Sequence, residues 1–193
     1  MLLKNLIKNL PTEFKNTKIK GLALNSKKVK KDFIFFAIKG AKLNGENYIN
    51  EAIKRGAKVI VVSKKSKFKS NQVNIIKTKN VRDILGKVTS KFYNSKPKNI
   101  VAVTGTNGKT SVADFFYQIL DKNNIPVASI GTLGIKVKNK FIKSNLTSPD
   151  IISLHKNLEM LKKKKIDNVI IEASSHGLSQ GRLNSINFKI GIF

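Results

Sequence analysis

NIVAVTGTNGKTS, Asn99 to Ser111, runs from an apolar, β-branched segment (Ile100 to Val103) through two glycines bracketing Thr106 and Asn107. It then passes to Lys109, Thr110 and a helix-like segment starting near Ser111. The order strand, glycine loop, helix is what a bound polyphosphate requires. Gly105 and Gly108 permit backbone angles and a close approach that a Cβ forbids, so successive N–H groups can turn towards phosphate oxygens. The helix that follows points its partially positive N-terminus at the same anion. Lys109 has the reach for the outer phosphates, and the Thr110 hydroxyl is a ligand type for magnesium. An ordinary strand-to-helix turn with an incidental lysine would show one or two of these features; their coincidence favours a nucleotide phosphate site. The common phosphate loop has a further glycine five residues before the second, where this chain has Val103, so TGTNGKT is a shortened form. Gly105, Thr106, Asn107, Gly108, Lys109, Thr110 and Ser111 are therefore the expected cofactor-binding positions of an α/β fold.

A length of 193 residues suits one sizeable core or two modest domains, and 40% hydrophobic residues argue against wholesale disorder. The 38 Lys+Arg against 11 Asp+Glu leave a net charge of +27, which raises nucleic acid or an anionic membrane as partner. The basic residues are mostly lysines scattered from Lys4 to Lys189, not arginines clustered with aromatics. No specific nucleic-acid partner is expected, and a basic nucleic-acid-binding NTPase is kept as an alternative of a different class. There is no cysteine, so no disulfide or thiolate metal site, and His155 and His176 are too few for a histidine-built metal centre. At the N-terminus, MLLKNLIKNL puts Leu2, Leu3, Leu6, Ile7 and Leu10 on one helical face, with lysines breaking what a signal core needs. No apolar run approaches the ~20 residues that span a bilayer. The expectation is a soluble, cytoplasmic protein with no membrane partner.

Strands are expected at Ile19 to Leu24, Phe33 to Ile38, Val59 to Val62 and Val73 to Lys77, with helices at Tyr48 to Arg55 and Val81 to Phe92 and a turn at Ala41 to Gly45. The polar NSKPKN segment, Asn94 to Asn99, reads as a domain boundary. Beyond the loop, the helical spacing puts Phe115, Phe116, Ile119 and Leu120 on a core-facing stripe. Val127 to Ile130 reads as a strand, Gly131 to Ser144 as a hairpin around Asn139, and Ser148-Pro149-Asp150 as the start of a helix running to about Lys164, with Ile151, Ile152, Leu154, Leu158 and Leu161 inward. Asn168 to Ala173 is a buried strand carrying Glu172 at its carboxyl end, where open parallel sheets collect ligands. If that strand neighbours Ile100 to Thr104, Glu172 faces the phosphates and can hold magnesium; a carboxylate paired with a nearby lysine is the plainer alternative. Arg182, in the GLSQGR turn, can fork onto a phosphate or carboxylate.

VTGTNGKTS, LTSPD and EASSHGLSQGR, in that order and spacing, resemble the Mur ligases. The loop itself is shared with folylpolyglutamate synthase, which supplies the alternative of a folylpolyglutamate-synthase-like ligase; LALNSKKV, KGAKLNG and SSHGL argue against it. The resemblance implies a small N-terminal α/β UDP-binding domain (1–95) and a mostly parallel, P-loop-type central ATP-binding domain (96–193). It implies an ATP- and Mg2+-dependent, monomeric ligase of peptidoglycan synthesis that joins a diamino acid, meso-diaminopimelate or L-lysine, to UDP-MurNAc-L-Ala-D-Glu through an acyl phosphate. Lys109 and Glu172 would be catalytic, and Thr110 and Glu172 metal ligands. Leu24, Ser26, Ala41, Lys42 and Leu43 would contact the UDP end, and Thr147, Ser148, Ser174, Gln180 and Arg182 the sugar and peptide. His176 would shape its loop. The family commonly has Asn-Thr-Thr before its proline, whereas this chain reads Asn145-Leu146-Thr147-Ser148. Family members continue with the rest of the central domain and a C-terminal amino-acid-binding domain, so a truncated fragment that does not ligate alone is the expectation.

Overall fold

The computed structural model describes residues 1–40, 43–138, 140–142 and 149–193. The chain divides into two compact units, Met1–Phe92 and Tyr93–Phe193.

In the first unit a short helix α1 (Leu3–Leu6) precedes strands β1 (Gly21–Ala23) and β2 (Phe33–Phe36), helix α2 (Ile49–Lys54), strands β3 (Ala57–Ser63) and β4 (Asn74–Thr78), and helix α3 (Val81–Phe92). The four strands form a parallel sheet in the order β1-β2-β3-β4. Val59, Ile60, Val61 and Val62 are all fully buried, as the unbroken β-branched run of a strand covered on both faces requires. The Asn80 side chain caps α3 by accepting from the N–H groups of Arg82 and Asp83. The N-terminal stripe is only partly helical. Leu3, Leu6, Ile7 and Leu10 are nonetheless buried, because the segment is held to the strand-like Thr17 to Ile19 by backbone bonds such as Leu3 N–H to Thr17 O at 2.9 Å.

The second unit begins with β5 (Asn99–Val103) and continues through α4 (Lys109–Lys122), β6 (Val127–Gly131), β7 (Gly134–Val137), β8 (Lys140–Ile142), α5 (Ile151–Lys163), β9 (Asn168–Glu172), a one-turn α6 (Ser175–Ser179) and β10 (Ile190–Ile192). Its six-stranded sheet has the order β10-β5-β9-β6-β7-β8, parallel from β10 to β6 and antiparallel from β6 to β8. Asn139, the centre of the expected hairpin, lies outside the described residues, as does the Asn145–Ser148 segment. Asp150 caps α5 through Ile152 and Ser153 N–H. Leu154, Leu158 and Leu161, one helical stripe, pack with Ile100, Val169 and Ile171 on one face of the sheet. The alternate residues Val101, Val103 and Ile170 pack with Ala113 of α4 on the other. This alternation carries the next residue of that set, Glu172, to the α4 face.

The stripe expected on α4 is rotated. Phe115 and Ile119 are each 62% exposed, whereas Ala113 and Tyr117 are buried. Ala113 is small enough to let the helix lie close to the sheet, and the face centred on Ala113, Phe116 and Tyr117 then turns residues 115 and 119 outward. Accordingly, Phe115→Gln is expected to change stability by no more than about 0.5 kcal/mol in denaturant unfolding.

Candidate functional site

Val103 and Glu172 are register partners at the carboxyl ends of adjacent parallel strands, so the glycine loop and the carboxylate leave the sheet side by side. Gly105 and Gly108 have φ of +136° and +80°, the left-handed region that glycine adopts at little cost. Helix α4 starts at Lys109, two residues earlier than the sequence indicated, with Gly108 as its N-cap. Its first turn therefore carries Lys109, Thr110 and Ser111. The Lys109 ammonium donates to the carbonyls of Gly105 at 2.7 Å and Thr106 at 3.1 Å, closing the loop on itself.

Glu172 is 3% exposed and is held from two sides. The Thr110 hydroxyl donates to its Oε2 at 3.0 Å, and Thr132 donates to the same oxygen through its hydroxyl at 3.1 Å and to Oε1 through its backbone N–H at 3.3 Å. The carboxylate occupies space that only a glycine leaves open. A Cβ on Gly131 would stand 1.9 Å from Glu172 Oε1. Gly131 and Thr132 were not singled out from the sequence; the signal available was a glycine and a hydroxyl residue ending a strand, GT in SIGTLG. Thr106, Asn107, Gly108, Lys109, Thr110, Ser111, Thr132, Glu172 and Ser174 line one cleft of about 390 Å3. Among the described residues no three His, Cys, Asp or Glu side chains converge. A cation held at Thr110 and Glu172 would therefore complete its shell with ligand oxygens and water.

Ser174 caps α6, accepting from Gly177 N–H at 3.0 Å. Gln180 and Arg182 form one unit, the guanidinium donating twice to Gln180 Oε1, at 3.0 and 2.7 Å. His176 is exposed and its carbonyl accepts from the Ser179 hydroxyl, a role within its own turn. Behind this segment His155 of α5 is fully buried, and its Nε2 donates to the Asn184 carbonyl at 3.1 Å while Nδ1 has no hydrogen-bond partner among the described residues. Burial drives its pKa down to about 4, with Lys96 adding to the shift.

In the first unit Leu24, Ser26 and Leu43 line a single cavity of about 440 Å3, together with Phe35, Ile38 and Tyr48. Ser26 donates its hydroxyl to Glu51 at 2.6 Å, which leaves it acceptor lone pairs for a ligand. Ala41, Lys42, Thr147 and Ser148 lie outside the described residues.

Comparison with known proteins bears on both units. Residues 103–193 match the Mur ligase middle domain and residues 18–93 the Mur ligase family, catalytic domain. The UDP-N-acetylmuramoyl-L-alanyl-D-glutamate–2,6-diaminopimelate ligase of Rickettsia prowazekii is 40% identical over 189 residues, covering 96% of this chain and 39% of the relative. A solved structure of a ligase of the same name superposes with a TM-score of 0.85 at 26% identity, over 99% of this chain and 39% of that one. The MurF ligase of Thermotoga maritima, solved in complex with ADP, superposes with a TM-score of 0.53 at 25% identity, over 82% of this chain and 32% of that one. The chain thus spans about 39% of the length of the curated relative it matches.

Proposed function

Because the chain belongs to the Mur ligase family, we propose that it carries the UDP-substrate-binding and ATP-binding parts of a ligase that adds meso-diaminopimelate to UDP-MurNAc-L-Ala-D-Glu. L-Lysine, the other diamino acid the sequence left open, is not in the relatives' names. Among the supporting observations, the 3.0 Å bond between Thr110 and Glu172 carries the reading. It joins a hydroxyl in the first helical turn after the glycine loop to a carboxylate at the end of the neighbouring strand, two oxygen donors of the kind magnesium takes.

The residues fit a magnesium nucleotide. Two glycines at positive φ open the loop, the α4 N-terminus faces it, and Lys109 holds an ammonium over it. When bound, magnesium supplies positive charge where phosphoryl oxygens and the substrate carboxylate would otherwise repel. Thr110 and Glu172 would hold it. Lys109 would exchange its bonds to the Gly105 and Thr106 carbonyls for phosphate oxygens and steady the negative charge that develops on phosphoryl transfer to the D-glutamate carboxylate. Ser174, Gln180 and Arg182 would take the sugar and peptide, the guanidinium as a fork onto a carboxylate. Leu24, Ser26, Ala41, Lys42 and Leu43 would hold the UDP end. The reading includes a cytoplasmic monomer and no specific nucleic-acid partner; among the described residues no helix is long and apolar enough to cross a membrane.

Calorimetric titration with ADP and magnesium tests the nucleotide half. Binding is expected in the unmodified chain, weakened about tenfold in Lys109→Met through loss of charge-assisted bonds. Thermal shift tests the substrate half: UDP-MurNAc-L-Ala-D-Glu should raise the melting temperature and a folate should not. The reverse pattern would overturn the assignment in favour of the folate-type ligase.

A further inference from the structure

We propose that Lys136 keeps Asp114 out of the magnesium site, so that Glu172 is its single protein carboxylate and metal binding depends on the nucleotide. The proposal rests on the nucleotide reading above. Asp114 follows Thr110 by four residues on α4, so the two side chains share a face one turn apart. Thr110, Asp114, Lys136 and Glu172 line a common cavity of about 30 Å3, room for one water-sized group.

Both Asp114 oxygens are already engaged. Lys136 Nζ on β7 donates to Oδ1 at 2.7 Å and the Gln118 amide donates to Oδ2. The ammonium is fixed in turn by aromatic faces, 4.4 Å from the Tyr117 ring centre and 5.8 Å from that of Phe141. The Lys136 side chain is 19% exposed and that of Asp114 40%, so the pair is anchored from the lysine side and open to solvent on the other. Its bond to Asp114 is the main reason the Asp114 carboxyl titrates below the usual range, and the aspartate is therefore fully ionised near neutrality.

An ionised carboxylate one turn from Thr110 is the ligand type a hard cation seeks. Paired with Lys136, it adds no net charge to the cavity. Released, it would join Glu172 to make a two-carboxylate site that retains metal without phosphate oxygens. Lys136 is thus a positioning residue acting through Asp114.

The test is titration of the chain with Mn2+ in the absence of nucleotide, reading free ion by electron paramagnetic resonance. Lys136→Met is expected to bind Mn2+ about tenfold more tightly than the unmodified chain, the scale of an added charge at this range in a partly solvated site. Lys136→Arg, which keeps the cation, and the double variant Lys136→Met/Asp114→Asn should both return to the original affinity. No tightening in Lys136→Met, or tightening that survives in the double variant, overturns the proposal. Should Lys136→Met lose its circular dichroism spectrum, Lys136→Gln carries the same comparison. Failure of the nucleotide reading is distinguishable, because then the unmodified chain itself binds no ADP in the presence of magnesium.

Discussion

Replacing Gly131 by alanine is expected to abolish the contribution of magnesium to ADP binding, a loss of about 100-fold or more, although position 131 has no side chain to contribute. The added Cβ would lie 1.9 Å from Glu172 Oε1, 2.4 Å from Cδ and 2.7 Å from Cγ, so the carboxylate itself must leave. The backbone cannot relax easily, since Gly131 pairs with Gly134 on one side and Glu172 lies on the neighbouring strand. Displacing Glu172 forfeits its bonds from Thr110 and Thr132 and leaves a buried carboxylate without them, a cost of about 2–4 kcal/mol in stability. Calorimetry with and without magnesium separates the effects: ADP alone should bind the variant and the unmodified chain alike, and magnesium should strengthen binding only in the latter. Adding Glu172→Ala to Gly131→Ala should recover stability, because the clash disappears with the side chain. Undiminished magnesium-dependent binding in Gly131→Ala would remove Glu172 from the metal site.

The second large effect is acid lability from His155. The unfolded side chain titrates near 6.5 and the folded one near 4, because burial disfavours the imidazolium. Between those values the unfolded chain binds the extra proton, so stability rises with pH. The contribution is complete above about pH 6.5 and is lost progressively as pH falls towards 4. From pH 7 to pH 5 the loss is about 2 kcal/mol. Asp32, Glu51, Asp114 and Asp167, all held below their ordinary carboxyl range, weaken the fold at lower pH than this. Denaturant unfolding at pH 7 and 5 checks the prediction, with His155→Gln, whose amide can still donate to the Asn184 carbonyl, expected to flatten the difference. An equally steep decline in His155→Gln would assign the lability elsewhere.

The sequence carried β3, α3 and β9 because their signals are local: β-branched runs between turn residues, or a helical period with a cap. The glycine loop was legible for the same reason. The support of Glu172 was not, because Thr132 reaches it only through the order β5-β9-β6, and nothing near residue 131 indicates that β9 will lie there. The face of α4 was misjudged because hydrophobicity ranks Phe115 above Ala113 and Tyr117. Packing chose the small residue for close approach and the tyrosine as the aromatic platform for Lys136. The Asp114–Lys136 pair joins residues 22 apart on different elements and has no sequence signature at all.

The same strand order carries a consequence for synthesis. β5 and β6 are consecutive strands, yet they do not pair; β9 lies between them and β10 flanks β5 on the other side. Pairs such as Asn99 with Asn168 span 69 residues. A chain emerging from the ribosome therefore carries its glycine loop for some seventy residues before a neighbouring strand of its own sheet can pair with β5. On the proposed nucleotide reading, the loop can act as a phosphate cradle only when β9 closes the gap, bringing Glu172 with it. Nucleotide affinity should appear abruptly rather than gradually as the nascent chain lengthens.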